Sequence, residues 1–331
     1  MRDALQRAWL RRGPLALLLL PLALLFGVLA ALRRELYRMG WLRTQRVPVA
    51  VVVIGNVVAG GAGKTPVVMA VVEHLRRRNL QVGVIARGYG RQGSDCVEVT
   101  PMSSPASVGD EPLLVATRSR VPVFVAARRI DAARALLRAH PGTQAIVSDD
   151  GLQHLALARD VDICVFDERG VGNGWLLPAG PLREPWPRRV DLVVRPHTLP
   201  GIDGFGIRRR LASFAQRQDG TRRDLRSFAG APCLAVAGIA RPEAFFAMLH
   251  EAGIRPSATC ALPDHHDYAA APDVPAGHEV LCTEKDAVKL WRSVPGAWAV
   301  PLEVELDAAF WSALDRLLKR RLSSTDGPQT A

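Results

Sequence analysis

The chain has 331 residues, 48% of them hydrophobic, enough for one large domain or two ordinary ones and too apolar for a disordered chain. Its net charge of +11 is uneven: residues 1–46 hold nine arginines against two acids, Asp3 and Glu35, so the rest of the chain carries only four of those charges. That distribution argues against a broadly basic nucleic-acid-binding face and favours a basic N-terminal segment near anionic lipid.

From Gly13 to Leu32 ("GPLALLLLPLALLFGVLAAL") no charge occurs, while Arg11–Arg12 and Arg33–Arg34 flank the run. As a helix, 20 residues span about 30 Å, the thickness of a bilayer's hydrocarbon core. A cleaved signal peptide would carry the downstream loop away from ATP. Membrane attachment is the better reading, with its mode left open between a spanning helix and one embedded from the cytoplasmic face.

After residue 46 strands and helices alternate. "VPVAVVVIGN" (47–56) has the continuous apolar character of a buried parallel strand. A glycine-rich loop follows, then the helix "TPVVMAVVEHLRRR", whose Pro66 suits a first helical turn. "QVGVIARGYG", "VPVFVA", "TQAIVSDDG", "VDICVFD" and "VDLVV" continue the strands, with the helix "RRIDAARALLRAH" among them. The polar, Arg-rich stretch 201–228 reads as a boundary. Beyond it "CLAVAGIARPEAFFAMLHEAGI", "EVLCTEKDAVKLW" and "AWAVPLEVEL" repeat the plan in a second unit. The fold class is therefore α/β: a P-loop NTPase-like, mainly parallel sheet with helices on both faces, a second smaller α/β domain, and an N-terminal membrane-associated helix. The expected divisions are 1–46 for the anchor, 47–228 for the core, 229–320 for the smaller domain and 321–331 for a disordered tail. Five scattered cysteines without a C-x-x-C pair read as buried thiols in a reducing compartment.

The stretch "GNVVAGGAGKTP" (55–66) carries the chemistry. Set against G-x-x-x-x-G-K-[ST], it has Gly63, Lys64 and Thr65 but Val58 where the first glycine belongs. A phosphate loop needs glycines free to turn N–H groups inward, a helix starting at the anion, a lysine for the terminal phosphates and a hydroxyl for Mg²⁺. Gly60, Gly61 and Gly63 supply the first, and Lys64 and Thr65 the last two. The nucleotide-binding set is thus Val58, Ala59, Gly60, Gly61, Ala62, Gly63, Lys64 and Thr65. Asp149 and Asp150 end an apolar strand, where carboxylates lie beside such a loop and hold Mg²⁺ directly or through water. "VGDEP" presents Asp110 and Glu111 before a helix, either as N-cap acids or as functional carboxylates. "DHHDY" (264–268) groups His265 and His266 with acids in a manner suited to proton transfer. Lysine is rare, four against 39 arginines, which draws the eye to Lys64 and Lys285.

In order along the chain, "GNVVAGGAGKTP", "ARGYGR", "GDEP", "SDDGLQH", "LLPAGPLREP", "PDHHDY" and "TEKDAVK" resemble the tetraacyldisaccharide 4′-kinases of lipid A biosynthesis. That family's loop also lacks the upstream glycine. The resemblance implies transfer of the γ-phosphoryl group of ATP to the 4′-hydroxyl of a tetraacyl glucosamine disaccharide 1-phosphate. It implies two α/β domains with the active site in the cleft between them. It implies ATP and Mg²⁺ as cofactors, and an inner-membrane location with the catalytic domains on the cytoplasmic face. The partners implied are the acylated disaccharide lipid and anionic membrane lipids, with neither nucleic acid nor an obligate protein partner. By the same resemblance Lys64 neutralises the β/γ-phosphates, and Thr65, Asp149 and Asp150 surround the metal. Asp110 is the base, and His265 tunes it, with His266 as the alternative. Glu111, Arg128, Gln153 and Arg183 line the lipid and phosphate region, Arg128 being adjacent to Arg129. The nearest rival is a membrane-associated P-loop ATPase of the partitioning type, whose signature lysine would fall at Ala59 and is absent. A guanine-reading N-K-x-D does not match "TEKD" either, because there Lys and Asp are adjacent.

Overall fold

The computed structural model describes residues 8–325 and divides into two compact units. Unit 1 comprises Met1–Arg87, Val121–Arg208 and Leu306–Ala331; unit 2 comprises Gly88–Arg120 and Arg209–Glu305. In chain order, unit 1 begins with α1 (Pro14–Leu18), α2 (Leu20–Arg38), β1 (Ala50–Gly55), α3 (Lys64–Arg77) and β2 (Val82–Ala86). Unit 2 takes β3 (Val97–Val99), α4 (Pro105–Val108) and α5 (Asp110–Ser119). The chain returns to unit 1 for β4 (Val123–Val125), α6 (Arg129–Ala139), β5 (Ala145–Asp149), β6 (Val161–Val165), β7 (Leu192–Pro196) and the start of β8 (Phe205–Leu211). Then follow, in unit 2, β9 (Phe214–Gln216), β10 (Arg222–Asp224), β11 (Cys233–Ala237), α7 (Pro242–Glu251), β12 (Ala258–Ala261), β13 (Glu279–Thr283), α8 (Glu284–Leu290), β14 (Trp298–Val300) and β15 (Leu302–Leu306), whose last residue meets the boundary. Helix α9 (Ala308–Thr325) ends the described chain in unit 1.

The divisions therefore differ from those read along the sequence. Residues 88–120 and 209–228 group with unit 2, and the chain after 306 rejoins unit 1. Which segments share a core is decided by contacts between distant residues, which composition along the chain does not carry. The expected tail is helical over 321–325, as the end of α9; its remainder lies outside the described residues.

In unit 1 the strands run β8-β7-β6-β1-β5-β2-β4, each neighbouring pair parallel. β1 is buried at all six positions, as a strand covered on both faces must be, and its β-branched run supplies that surface. Helix α3 packs on β1 and β5, α6 on β2 and β4, and α9 on β1, β6 and β7. Gly83 on β2 lies where an added Cβ would come within 2.5 Å of Leu136, so α6 seats close to the sheet there. In unit 2 the order is β10-β9-β14-β13-β11-β12, with β12, β11, β13 and β14 parallel and the β9–β10 hairpin antiparallel. Strands β8, β9 and β10 occupy the Arg-rich stretch that the sequence offered as a boundary. Arginines in and beside these strands hide the signal because they stack on aromatics: Arg217, just after β9, over Trp298 at 4.2 Å and Arg222 of β10 over Phe214 at 4.3 Å.

The N-terminal apolar run forms α1 and α2, which bury only Ala16 and Ala23. Trp9 Nε1 donates to Pro178 O at 2.9 Å, Arg12 Nε to Asn173 O at 3.1 Å and Arg33 to Gln153 O at 3.1 Å, tying the segment to unit 1. Leu18, Leu24, Leu25, Val28 and Leu29 stay exposed. Among the described residues no helix is long and apolar enough to cross a membrane.

Candidate active site

Unit 1 holds the phosphate loop. β1 ends at Gly55, where an added Cβ would lie 2.7 Å from Leu152 Cγ, so glycine alone lets that chain pass. Gly60 and Gly63 take positive φ, 93° and 66°, so the second left-handed position is Gly63. Val58 is not a displaced glycine: it is buried and forms an antiparallel bridge with Leu182. Ala59 N donates to Pro181 O at 2.7 Å and Arg183 N to Val57 O at 2.7 Å, so the "GPLRE" segment braces the loop from outside. Asn56 braces it from within, donating to Val58 O at 2.6 Å and Gly60 O at 3.4 Å. Arg169, gripped by Asp167 at 2.9 Å, donates to Ala59 O at 3.3 Å and Gly61 O at 3.1 Å. The carbonyls of Val57 to Gly61 are thereby engaged. Helix α3 starts at Lys64 with no side-chain cap, which leaves its first-turn N–H groups for an anion.

Lys64 Nζ donates to Asn56 Oδ1 at 3.3 Å and lies 3.4 Å from Asp150 Oδ1. Arg183 pairs with the other oxygen of Asp150 at 3.2 Å. Burial pushes the Asp150 carboxyl up, but Lys64 and Arg183 outweigh it and hold the group below the usual carboxylate range. Asp149 ends β5, buried, and Asp150 turns the chain at φ 48°. Thr65, in the first turn of α3, is 9% exposed. A hydroxyl and two carboxylates are hard oxygen donors that fit Mg²⁺, which keeps waters and takes phosphate oxygens for the rest of its shell. Among the described residues no cluster of three or more His, Cys, Asp or Glu is placed to hold a metal.

Of the other expected residues, Gln153 uses its amide on Asn56 O at 3.0 Å and Glu184 at 2.8 Å, binding the loop to its surroundings. Arg128 is largely exposed and pairs with Asp131 at 3.6 Å. Its neighbour Arg129 is buried and donates to the backbone oxygens of Asp149 at 3.0 Å and Asp150 at 3.2 Å. Burial is what separates the two arginines, and adjacent positions in a sequence cannot express it.

Unit 2 holds the acids and histidine. Gly109, at φ 92°, packs against Gly88, an added Cβ lying 3.2 Å from its backbone, and this turn starts α5 at Asp110. Asp110 Oδ2 accepts from His265 Nδ1 at 3.2 Å and from Lys289 Nζ at 2.7 Å. Burial raises the Asp110 carboxyl, but these two hydrogen bonds and the lysine's charge bring it below the usual range. His265 itself stands at φ 64°, a conformation a non-glycine residue takes only where its surroundings hold it. Lys285 Nζ reaches Asp264 Oδ1 at 3.0 Å, Glu111 Oε1 at 3.3 Å and His265 Nε2 at 3.5 Å. His266 turns elsewhere: its Nδ1 accepts from Tyr268 N at 3.1 Å. The histidine brought to Asp110 is therefore His265.

A family model described as tetraacyldisaccharide-1-P 4′-kinase matches residues 15–319. The chain belongs to this family. It is 56% identical over 327 residues to the tetraacyldisaccharide 4′-kinase of Acidovorax ebreus (strain TPSY), covering 98% of this chain and 97% of that one. It is 53% identical to the same-named protein of Polaromonas naphthalenivorans (strain CJ2), over the whole of both chains. A solved structure, the "apo" form of LpxK from Aquifex aeolicus in complex with ATP, matches with a TM-score of 0.81 and 28% identity over 92% of this chain and 99% of that one. Tetraacyldisaccharide 4′-kinases are transferases, and the partitioning-type ATPase reading gives way to this assignment. Within this 4′-kinase, "TEKD" is built into unit 2: Thr283 caps α8 and bonds Asp286 at 2.6 Å, Asp286 accepts from Gly238 N at 3.0 Å, and Glu284 pairs with Arg118. Sequence reasoning missed Arg129, Arg169 and Lys289. The last had a signal, standing one helical turn after Lys285 in a chain where lysine is rare.

Proposed function

We propose that this 4′-kinase binds ATP on the Gly60–Thr65 loop and transfers its γ-phosphoryl group to the 4′-hydroxyl of a tetraacyl glucosamine disaccharide 1-phosphate, with Asp110 as the base. The observation that carries the proposal is the pairing of an uncapped α3, led by Lys64 and Thr65, with the Asp149–Asp150 strand end. Lys64 neutralises terminal phosphate charge, and the α3 amides hold phosphate oxygens. Thr65, Asp149 and Asp150 would hold Mg²⁺, which neutralises charge on the β- and γ-phosphates when bound.

Phosphoryl transfer asks more for positioning and charge neutralisation than for covalent help. The acceptor oxygen bonds to the γ-phosphorus as the bond to the β–γ bridging oxygen breaks, and that electron pair leaves on ADP. The hydroxyl proton passes to Asp110. Nδ1 of His265 carries its own proton toward the carboxylate and orients it. The exposed leucines of α1 and α2 and the flanking arginines support attachment at the cytoplasmic face of the inner membrane, where the acylated acceptor is rooted.

The test is phosphate transfer from labelled ATP to the 1-phosphorylated disaccharide in detergent. Transfer is expected, and Lys64→Ala is expected to lower it about 10²–10³-fold or more, the loss typical of a group that neutralises transition-state charge. Brisk ATP hydrolysis without acceptor, and no labelled lipid, would sink the proposal.

A further inference from the structure

Asp110 is a buried carboxylate, and burial by itself disfavours the charged form of such a group. Resting on the reading of Asp110 as the base, we infer that Lys289 is the positioning residue that keeps Asp110 ionised and aims its free oxygen at the acceptor hydroxyl.

Lys289, on the last turn of α8, is 5% exposed, and its Nζ lies 2.7 Å from Asp110 Oδ2. Among the described residues Asp110 is its single ion-pair partner. The neighbouring charges are otherwise matched: Lys285, one turn earlier on α8, serves Asp264 and Glu111. The titratable groups that act on Asp110 are His265 from the 264–268 turn and Lys289 and Lys285 from α8, with Glu111 next to it on its own helix and paired with Lys285. The ammonium also stands 5.8 Å from the centre of the Tyr268 ring, on an apolar side of the site.

Both hydrogen bonds to Asp110 end on Oδ2, which leaves Oδ1 without a protein hydrogen bond among the described residues. A carboxylate held through one oxygen presents the other in a fixed direction. Proton removal is late in a loose phosphoryl transfer, so a base that is always ionised and correctly aimed serves better than a strong one that is partly protonated. Of the two partners on Oδ2, Lys289 is the nearer, at 2.7 Å against 3.2 Å for His265, and the more deeply buried. A buried ammonium offsets the cost of burying the carboxylate's charge.

The experiment compares wild type, Lys289→Met, Lys289→Arg and Asp110→Asn in pH profiles of kcat/KM, with thermal melts to establish folding. Wild type should show no Asp110-linked acid limb between pH 5 and 8. Lys289→Met should gain one, displaced upward by about one unit or more from the ordinary carboxylate value, with activity recovering as pH rises and KM for ATP unchanged. Lys289→Arg, which keeps the charge, should lack the new limb. A folded Lys289→Met whose profile superposes on wild type overturns the inference while leaving the base in place. An active Asp110→Asn overturns the base reading itself. If Lys289→Met does not fold, carbon-detected titration of the wild-type Asp110 carboxyl decides: a value below about 3.9 supports the pairing, and one at or above it overturns it.

Discussion

At the scale of single residues, Val58 reverses its first meaning. Against the common loop pattern it marks a missing glycine; in the fold it is a buried strut bridged to Leu182. Restoring the common pattern should therefore do harm. Val58→Gly removes a buried side chain and adds backbone freedom, a combined cost of about 2–3 kcal/mol, to be read from urea melts, without any gain in ATP affinity. An unchanged melt would mean that the Leu182 bridge carries no load. The loop, the Asp149–Asp150 strand end and the acids before α5 were legible because each combines unusual residue types with a nearby strand or helix signal. That Arg129 is buried while Arg128 is exposed, and that His265 and not His266 meets Asp110, was not fixed by the residues alone, since each turns on which of two neighbours faces inward. Lys289 fell between: its type and spacing were visible, but its partner stands in a segment far away in sequence.

At the scale of elements, α1 and α2 do two separable things. They dock on unit 1 through Trp9, Arg12 and Arg33, and they leave a row of leucines uncovered. Their buried contribution is small, Ala16 and Ala23, while the sheet begins at Ala50. Deleting residues 1–34 should abolish flotation with vesicles containing anionic lipid, yet leave the circular-dichroism spectrum of an α/β protein and a cooperative melt. A truncated chain that no longer melts cooperatively would show that the docking contacts are part of the fold's stability. The strands of unit 1 were readable from their uninterrupted apolar runs. The β9–β10 hairpin was not, because its arginines lie over aromatic faces and beside Glu279, contacts that a polar run of sequence does not announce.

At the scale of the whole molecule, acid stability has an identifiable component. His154 sits beside the Asp150 turn, and burial together with Arg129 and Arg87 pushes it from 6.5 down to about 4. The unfolded chain therefore takes up a proton first as pH falls, and stability is lost between about 6.5 and 4. Denaturant melts should record a decline on the order of 1–3 kcal/mol over that window, and His154→Gln should flatten it. A wild-type curve level from pH 6.5 to 4 would refute the assignment.

The return of the chain to unit 1 at α9 bears on how the protein is made. A ribosome releases β1 well before the helix that packs on β1, β6 and β7. Unit 2 waits as well, because the segment carrying Asp110 is synthesised long before the one carrying His265 and Lys289. A nascent chain thus has neither a fully covered sheet nor a paired base until α8 and α9 have emerged. The apolar run 13–32, by contrast, emerges ahead of the sheet, and on the proposed attachment it would meet a bilayer while the sheet is still being built.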